Sequence, residues 1–273
     1  MFKTSLITLA IVGAFLVGAI FAIRTRPAVV ANMPAPSTNP VVLTDAPTYS
    51  PQPPSVSPYP SGLPFAYPAG LMGYAISWAQ CGGKYPDMPY DFGIMDVNGG
   101  RSMTHNPCLA SEFAWASKAK YPPTFYVNLT YPPIEYRQGI ATPRDYGYAS
   151  ARDAYDYANS QGASSPMWWL DVQIKSTWSD GKSINAQVVQ GAIDFFNEKH
   201  LSTGLSTTSY QWSSVVGAMR TGLPNWVPGI AFSDDQPNAQ SYCLNAKSYS
   251  SGYVQQLADI RPQFETVYTC GGK

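Results

Sequence analysis

Charge is what this sequence has least of. Asp, Glu, Lys and Arg make up 12% of its 273 residues, and 17 basic and 17 acidic side chains cancel to a net charge of zero. So weak a cationic content excludes the phosphate-neutralising surface that nucleic acid requires, and no nucleic-acid partner is expected. Histidine is nearly missing as well, with only His105 and His200. The cysteines have no CxxC spacing, so a zinc cluster is not expected. There is no GxSxG elbow, no phosphate-cradling glycine loop ending in Lys-Ser/Thr, and no dinucleotide fingerprint. No metal and no cofactor is therefore predicted.

What is present begins with an address. Lys3 precedes an uninterrupted apolar stretch from Leu6 to Ile23, closed by Arg24 and Arg26. That stretch is long for a signal-peptide core and just long enough to span a bilayer. Residues 1–26 are read as a signal peptide or a membrane anchor, with cleavage after Ala22 or Ala31 and retention both open. Either way the remainder is expected outside the membrane, as a secreted or membrane-anchored extracellular domain. Residues 27–68 are rich in Pro, Ser, Thr and Ala, as in SPQPPSVSPYPSGLP, and have almost no charge. Such a segment buries too little apolar surface to offset its ordering entropy, which predicts a disordered linker. Residues 69–273 are long enough for one domain with a sizeable core.

Four cysteines, Cys81, Cys108, Cys243 and Cys270, fall in that domain. An even count in an exported chain reads as disulfides, and three pairings are open. Aromatic residues make up 14% of the chain, with seven Trp and nineteen Tyr. Low charge and many rings suit a surface that faces carbohydrate, since sugar faces stack on aromatic ones. A packed core uses the same residues.

Short apolar runs alternate with helical patterns. Strands are expected at Met72 to Trp78, Phe92 to Val97, Thr124 to Leu129 and Met167 to Val172, then in LSTGLST, NWVPGIAF and GYVQQLA. Most are continuous rather than alternating, as in strands covered on both faces. Helices are expected after an Asn106 cap with Pro107 first, from Tyr148 to Ser160 before Gly162, after Ser183, and more weakly after Gln211. Ile184, Val188, Val189, Ala192, Ile193 and Phe196 trace one apolar stripe on the third. Seven strands alternating with helices predict an α/β fold, a (β/α) TIM-type barrel with a mostly parallel sheet.

In such a barrel the chemistry lies at the C-terminal ends of the strands. On an extended WWLDVQ, Trp169, Asp171 and Gln173 share one face, and a carboxylate ending an apolar strand is costly unless paired or used. In FGIMDVNGG, Asp96 lies within the strand and Asn98 follows it. In FYVNLTYPP, Tyr126, Asn128 and Thr130 share a face. Tyr210 and Trp212 in TSYQW follow the next strand, where Trp212 suits helix packing somewhat better than a sugar platform.

Together SWAQCGG, FGIMDVNGG with HNPCLASEFAWAS, YGYASARDAYDYA, MWWLDVQ, TSYQW and VYTC resemble secreted bacterial glycoside hydrolase-like domains related to the family 25 lysozymes and the DUF1906 group. The resemblance runs from about Gly73 to Cys270. It implies a TIM-type barrel, a glycan ligand such as peptidoglycan or another surface polysaccharide, and the local pairs Cys81–Cys108 and Cys243–Cys270. It also implies Asp171 as the central acid. Members usually read WWLDVE and GYDVSWPQC, so Gln173 stands at an expected general acid and Ala75 at an expected aspartate. An amide cannot donate the proton that leaves a carboxylic acid. Asp96, Glu265, Asp234 and Asp235 are the candidate replacements. Two functions follow: a hydrolase with Asp171 and a relocated acid (Asp96 or Glu265), or a silent barrel binding glycan through Trp169, Gln173, Asn98, Asn128, Tyr210 and Trp212. A structural surface domain without ligand is the third.

Overall fold

The computed structural model describes residues 65–232, 236–261 and 263–271. The expected leader, nearly all of the expected linker, and Asp234 and Asp235 lie outside them. Among the described residues no helix is long and apolar enough to cross a membrane.

Eight strands close into a barrel in chain order. They are β1 (Met72–Ile76), β2 (Phe92–Asp96), β3 (Thr124–Asn128), β4 (Met167–Asp171), β5 (Ser202–Ser206), β6 (Asn225–Pro228), β7 (Val254–Ile260) and β8 (Glu265–Thr269). The first seven run parallel. The eighth runs antiparallel to both β7 and β1 and closes the ring. The expected TIM-type closure is present, with a correction: there is an eighth strand, and it is reversed. Among the described residues no helix intervenes between β7 and β8. A link too short for a crossover helix forces a hairpin return, so β8 starts where β7 ends, with Glu265 paired to Ile260.

Alternation of side chains builds two layers. Phe92, Ile94, Met167, Trp169, Trp226, Ala258 and Val267 fill the barrel. Met95, Phe125, Val127, Trp168, Leu170 and Leu205 point outward under the helices. Gly204 of β5 makes room for Trp169, because a Cβ there would collide with the indole. Phe65 and Tyr67 belong to the interior cluster, and the Tyr67 hydroxyl donates to the Pro122 carbonyl at 2.6 Å. Packing of the domain thus includes residues ahead of the boundary expected at residue 69.

The helices are α1 (Leu109–Ala116), α2 (Pro143–Ser160), α3 (Lys182–Glu198), α4 (Ser209–Val215) and α5 (Gln236–Asn245). Helix α2 starts before Tyr148 because Thr142 caps it, accepting from the Asp145 backbone at 3.1 Å, with Pro143 as first residue. Helix α1 starts later than expected. The Asn106 side chain accepts from the Cys108 backbone at 3.0 Å and first forms a turn. Helix α3 buries the expected stripe from Val188 to Phe196. It crosses α2 at Gly147 and Gly191, where an added Cβ would strike the Val188 or Arg144 carbonyl. Both local disulfides are formed, Cys81–Cys108 and Cys243–Cys270, each with Cα atoms 5.4 Å apart. The first ties the β1–β2 connection to the start of α1; the second ties α5 to the end of β8.

Candidate functional site

A cleft of about 380 Å³ opens at the end of the barrel where β4, β5 and β6 finish and β8 begins. Asp171 is the last residue of β4 and Ser206 the last of β5, and the ladder pairs them directly. Trp226 of β6 pairs with Ser206 and supplies an aromatic wall. Glu265 enters from the opposite side. Because β8 is reversed, its first residue, not its last, reaches the mouth. Ala75 of β1 is its ladder partner, so the small side chain leaves the carboxylate unobstructed on that flank.

Asp171 is 3% exposed and accepts a hydrogen bond from Gln173 Nε2 at 2.6 Å. Burial pushes its carboxyl up to about 7, the negative charge of Glu265 adds to the rise, and hydrogen bonds from Ser206 and Gln173 oppose it. Burial likewise pushes Glu265 up to about 7. Tyr126 shares the cleft wall with both acids. Burial first, then the carboxylates of Asp96, Glu265 and Asp171, hold its hydroxyl well above its ordinary range, which keeps it a proton donor.

The other expected residues divide sharply. Asp96 is buried and outside the cleft lining; Asn128 Nδ2 donates to both of its oxygens at 3.0 Å, and the Asn98 backbone donates to one at 3.2 Å. Burial pushes its carboxyl well above the usual range despite those donors. Asn98 and Asn128 brace one another: Asn98 Nδ2 donates to the Asn128 carbonyl at 3.0 Å, and Asn98 Oδ1 accepts from the Asn128 backbone at 3.2 Å. These three residues form an internal strap between the ends of β2 and β3, and none of them lines the cleft. Trp169 has no exposed surface and forms barrel core beneath the cleft. Trp212 is a packing residue, 2% exposed, donating its indole N–H to the Met219 carbonyl at 3.0 Å. Tyr210 is exposed on α4 but does not line the cleft.

Sequence reasoning missed Ser206, Gln211 and Trp226 as lining residues. Ser206 was legible in principle, since it lies near the C-terminal end of an expected strand, whereas Trp226 is the second residue of its strand. Gln211 carries no such signal: it reaches the cleft on α4, where Oε1 accepts from the Ile174 backbone at 2.8 Å.

Comparisons with known proteins bear on the same region. No curated protein matches the chain. Among solved structures, the modular autolysin LytC of Streptococcus pneumoniae is similar at 10% identity and a TM-score of 0.47, over 72% of this chain and 46% of its own. The chain therefore spans about half the length of that protein. The virulence factor GHIP, a glycosyl hydrolase 25 of Streptococcus pneumoniae, is similar at 12% identity and a TM-score of 0.44, over 73% of this chain and 86% of its own. The modular Cpl-1 endolysin, solved with a peptidoglycan analogue, gives 12% identity and a TM-score of 0.43, over 73% and 54%. Residues 140–228, which include Asp171, Gln173, Ser206 and Trp226 but not Glu265, match the family model described as lysozyme-like protein 1, so the resemblance to lysozyme-like domains read from the motifs is found again in the stretch from α2 to β6.

Proposed function

We propose that the domain is a glycoside hydrolase acting on a cell-wall-type glycan, with Asp171 and Glu265 as its working acids. The observation that carries this reading is that two buried carboxyls line one cleft, the charge of Glu265 adding to the rise of Asp171. Two such groups titrate as a pair and hold one proton between them near neutral pH. We assign that proton to Glu265 on the pattern of donors. Asp171 has donors from Gln173 and Ser206 that stabilise its anion, whereas Glu265 is raised by burial alone.

In this arrangement Glu265 donates its proton to the glycosidic oxygen as the bond to the anomeric carbon breaks. The Asp171 carboxylate faces the positive charge that develops at that carbon and directs water to it. Gln173 carries no titratable proton; it positions Asp171 and keeps it ionised. The lysozyme-like match over residues 140–228 supports the glycan class. Two disulfides support an oxidising compartment outside the membrane.

Release of new reducing ends from purified peptidoglycan tests the reading. The parent chain is expected to release them and Asp171→Asn to lose the activity. No release by the parent under any pH would overturn it. A second reading, glycan binding without cleavage, is favoured by one feature: the side chain held against Asp171 is an amide, not an acid. It predicts retention on peptidoglycan with no new ends.

A further inference from the structure

The cleft that holds the two acids also has a base on its wall. Lys175 is the only basic side chain among the described residues that line it. Opposite charges on one wall pair when they can reach each other. Yet among the described residues no ion pair joins Lys175 to Asp171, to Glu265 or to any other carboxylate. Its charge does not set the acids either. Burial, the charge of Glu265 and bonds from Ser206 and Gln173 act on Asp171, and burial acts on Glu265. Arg261 shows the contrast. It lines a smaller recess that shares Glu265 with the cleft, and it is engaged by Asp259 at 2.7 Å.

The chain around Lys175 is pinned. The Ile174 backbone donates to Gln211 Oε1 at 2.8 Å, which ties the loop after β4 to α4. The Gln173 carbonyl accepts from the Ser176 backbone at 3.1 Å and from the Trp178 indole N–H at 2.9 Å. Lys175 therefore extends an exposed side chain from a fixed turn. A ligand that meets it has little loop ordering to offset. An ammonium is a compact point charge with three donors and no preferred plane, so it takes a planar carboxylate or a tetrahedral phosphate equally well.

We propose that Lys175 is a specificity-determining residue, selecting a glycan that carries its own anion, a carboxylate or phosphate on one of its sugars. The inference rests on the glycan reading of the cleft and adds the charge of the ligand. Without Lys175 the Asp171 carboxylate would repel such a glycan. With it, the anion has a partner beyond ion-pair distance of both acids, and a neutral sugar chain gains nothing from the contact.

Calorimetric titration of the full chain at low salt tests this with three tetrasaccharides. They are chitotetraose, which is neutral, the peptidoglycan tetrasaccharide freed of its peptides, whose lactyl carboxylates are exposed, and chitotetraose phosphorylated on its primary hydroxyls. The parent is expected to bind at least one charged sugar about fivefold tighter than the neutral one. The tighter of the two charged sugars identifies the anion. Lys175→Met is expected to lose the preference and Lys175→Arg to keep most of it, and about 1 M salt is expected to erase it in the parent. Lys175 is exposed, so neither replacement threatens the fold. Equal affinity of the parent for all three, or a preference that survives Lys175→Met, overturns the role of Lys175. Binding of none of them by the parent overturns the glycan reading itself, a distinct result.

Discussion

Gln173 donates its side-chain amide to Asp171 at 2.6 Å, two residues beyond it along the chain and at the position where an acid was expected. The contact ties the loop after β4 to the strand-end carboxylate. It also assigns the amide a role other than proton donation, which is to hold Asp171 as an anion. Removing the donor in Gln173→Ala raises the Asp171 proton affinity further. The acid limb of the rate-against-pH profile is therefore expected to move to higher pH, with Gln173→Asn intermediate. An unmoved acid limb shows that the contact does not tune Asp171.

Glu265 and Asp171 also set a pH dependence of stability. Each titrates at about 7 in the fold and near 4 in an unfolded chain. A raised carboxyl favours the fold while protonated. As pH rises from about 4 to about 7, the unfolded chain gives up these protons first, and stability falls, by a few kcal/mol for each group. Above about 7 the loss is complete. Glu265→Gln is expected to raise the melting temperature at pH 8 and to leave it nearly unchanged at pH 4. Equal effects at both values would show that Glu265 is not raised by burial.

The barrel's helical layer depends on a close crossing. At Gly191 an added Cβ meets the Arg144 carbonyl of α2, and at Gly147 it meets the Val188 carbonyl of α3. Backbone cannot yield as a side-chain tip does. Gly191→Ala is expected to destabilise the domain by about 1–3 kcal/mol through forced separation of the helices, although alanine favours helix at an exposed site. Urea denaturation measures the sign, and a stabilised variant would contradict the crossing.

The disulfides act on the unfolded chain. Cys243 and Cys270 are 27 residues apart, and closing a loop of that size removes about 3 kcal/mol of unfolded-state entropy. Replacing both by serine is expected to lower stability by that order. Unchanged denaturation midpoints would show that α5 and β8 hold their places without the link.

Much of the fold was legible because strands covered on both faces announce themselves as continuous apolar runs, and Met167 to Asp171 is the clearest. The eighth strand was not. Glu265, Thr266 and Thr269 are polar, and the strand is assembled by its neighbours rather than by its own pattern. Helix α5 was missed for the same reason, since QPNAQSYCLN has no apolar stripe. Asp171 was a candidate because a carboxylate ends an apolar strand, and it lines the cleft. Asn98, Asn128 and Asp96 have the same appearance in sequence, and only the structure shows that their polar groups satisfy one another. Ala75 and Glu265 are nearly the full domain apart in the chain, and their pairing follows from the reversal of β8, which no local pattern encodes.

The central claim is that Glu265 supplies the proton that Gln173 cannot. Reducing-end release from peptidoglycan by the parent, Glu265→Gln and Gln173→Glu, measured side by side with retention on the same material, tests it most directly. The parent is expected to be active, and Glu265→Gln to bind still but to be slower by about 10²–10⁴-fold. A silent parent beside an active Gln173→Glu variant would contradict it, and would show a cleft disarmed at residue 173.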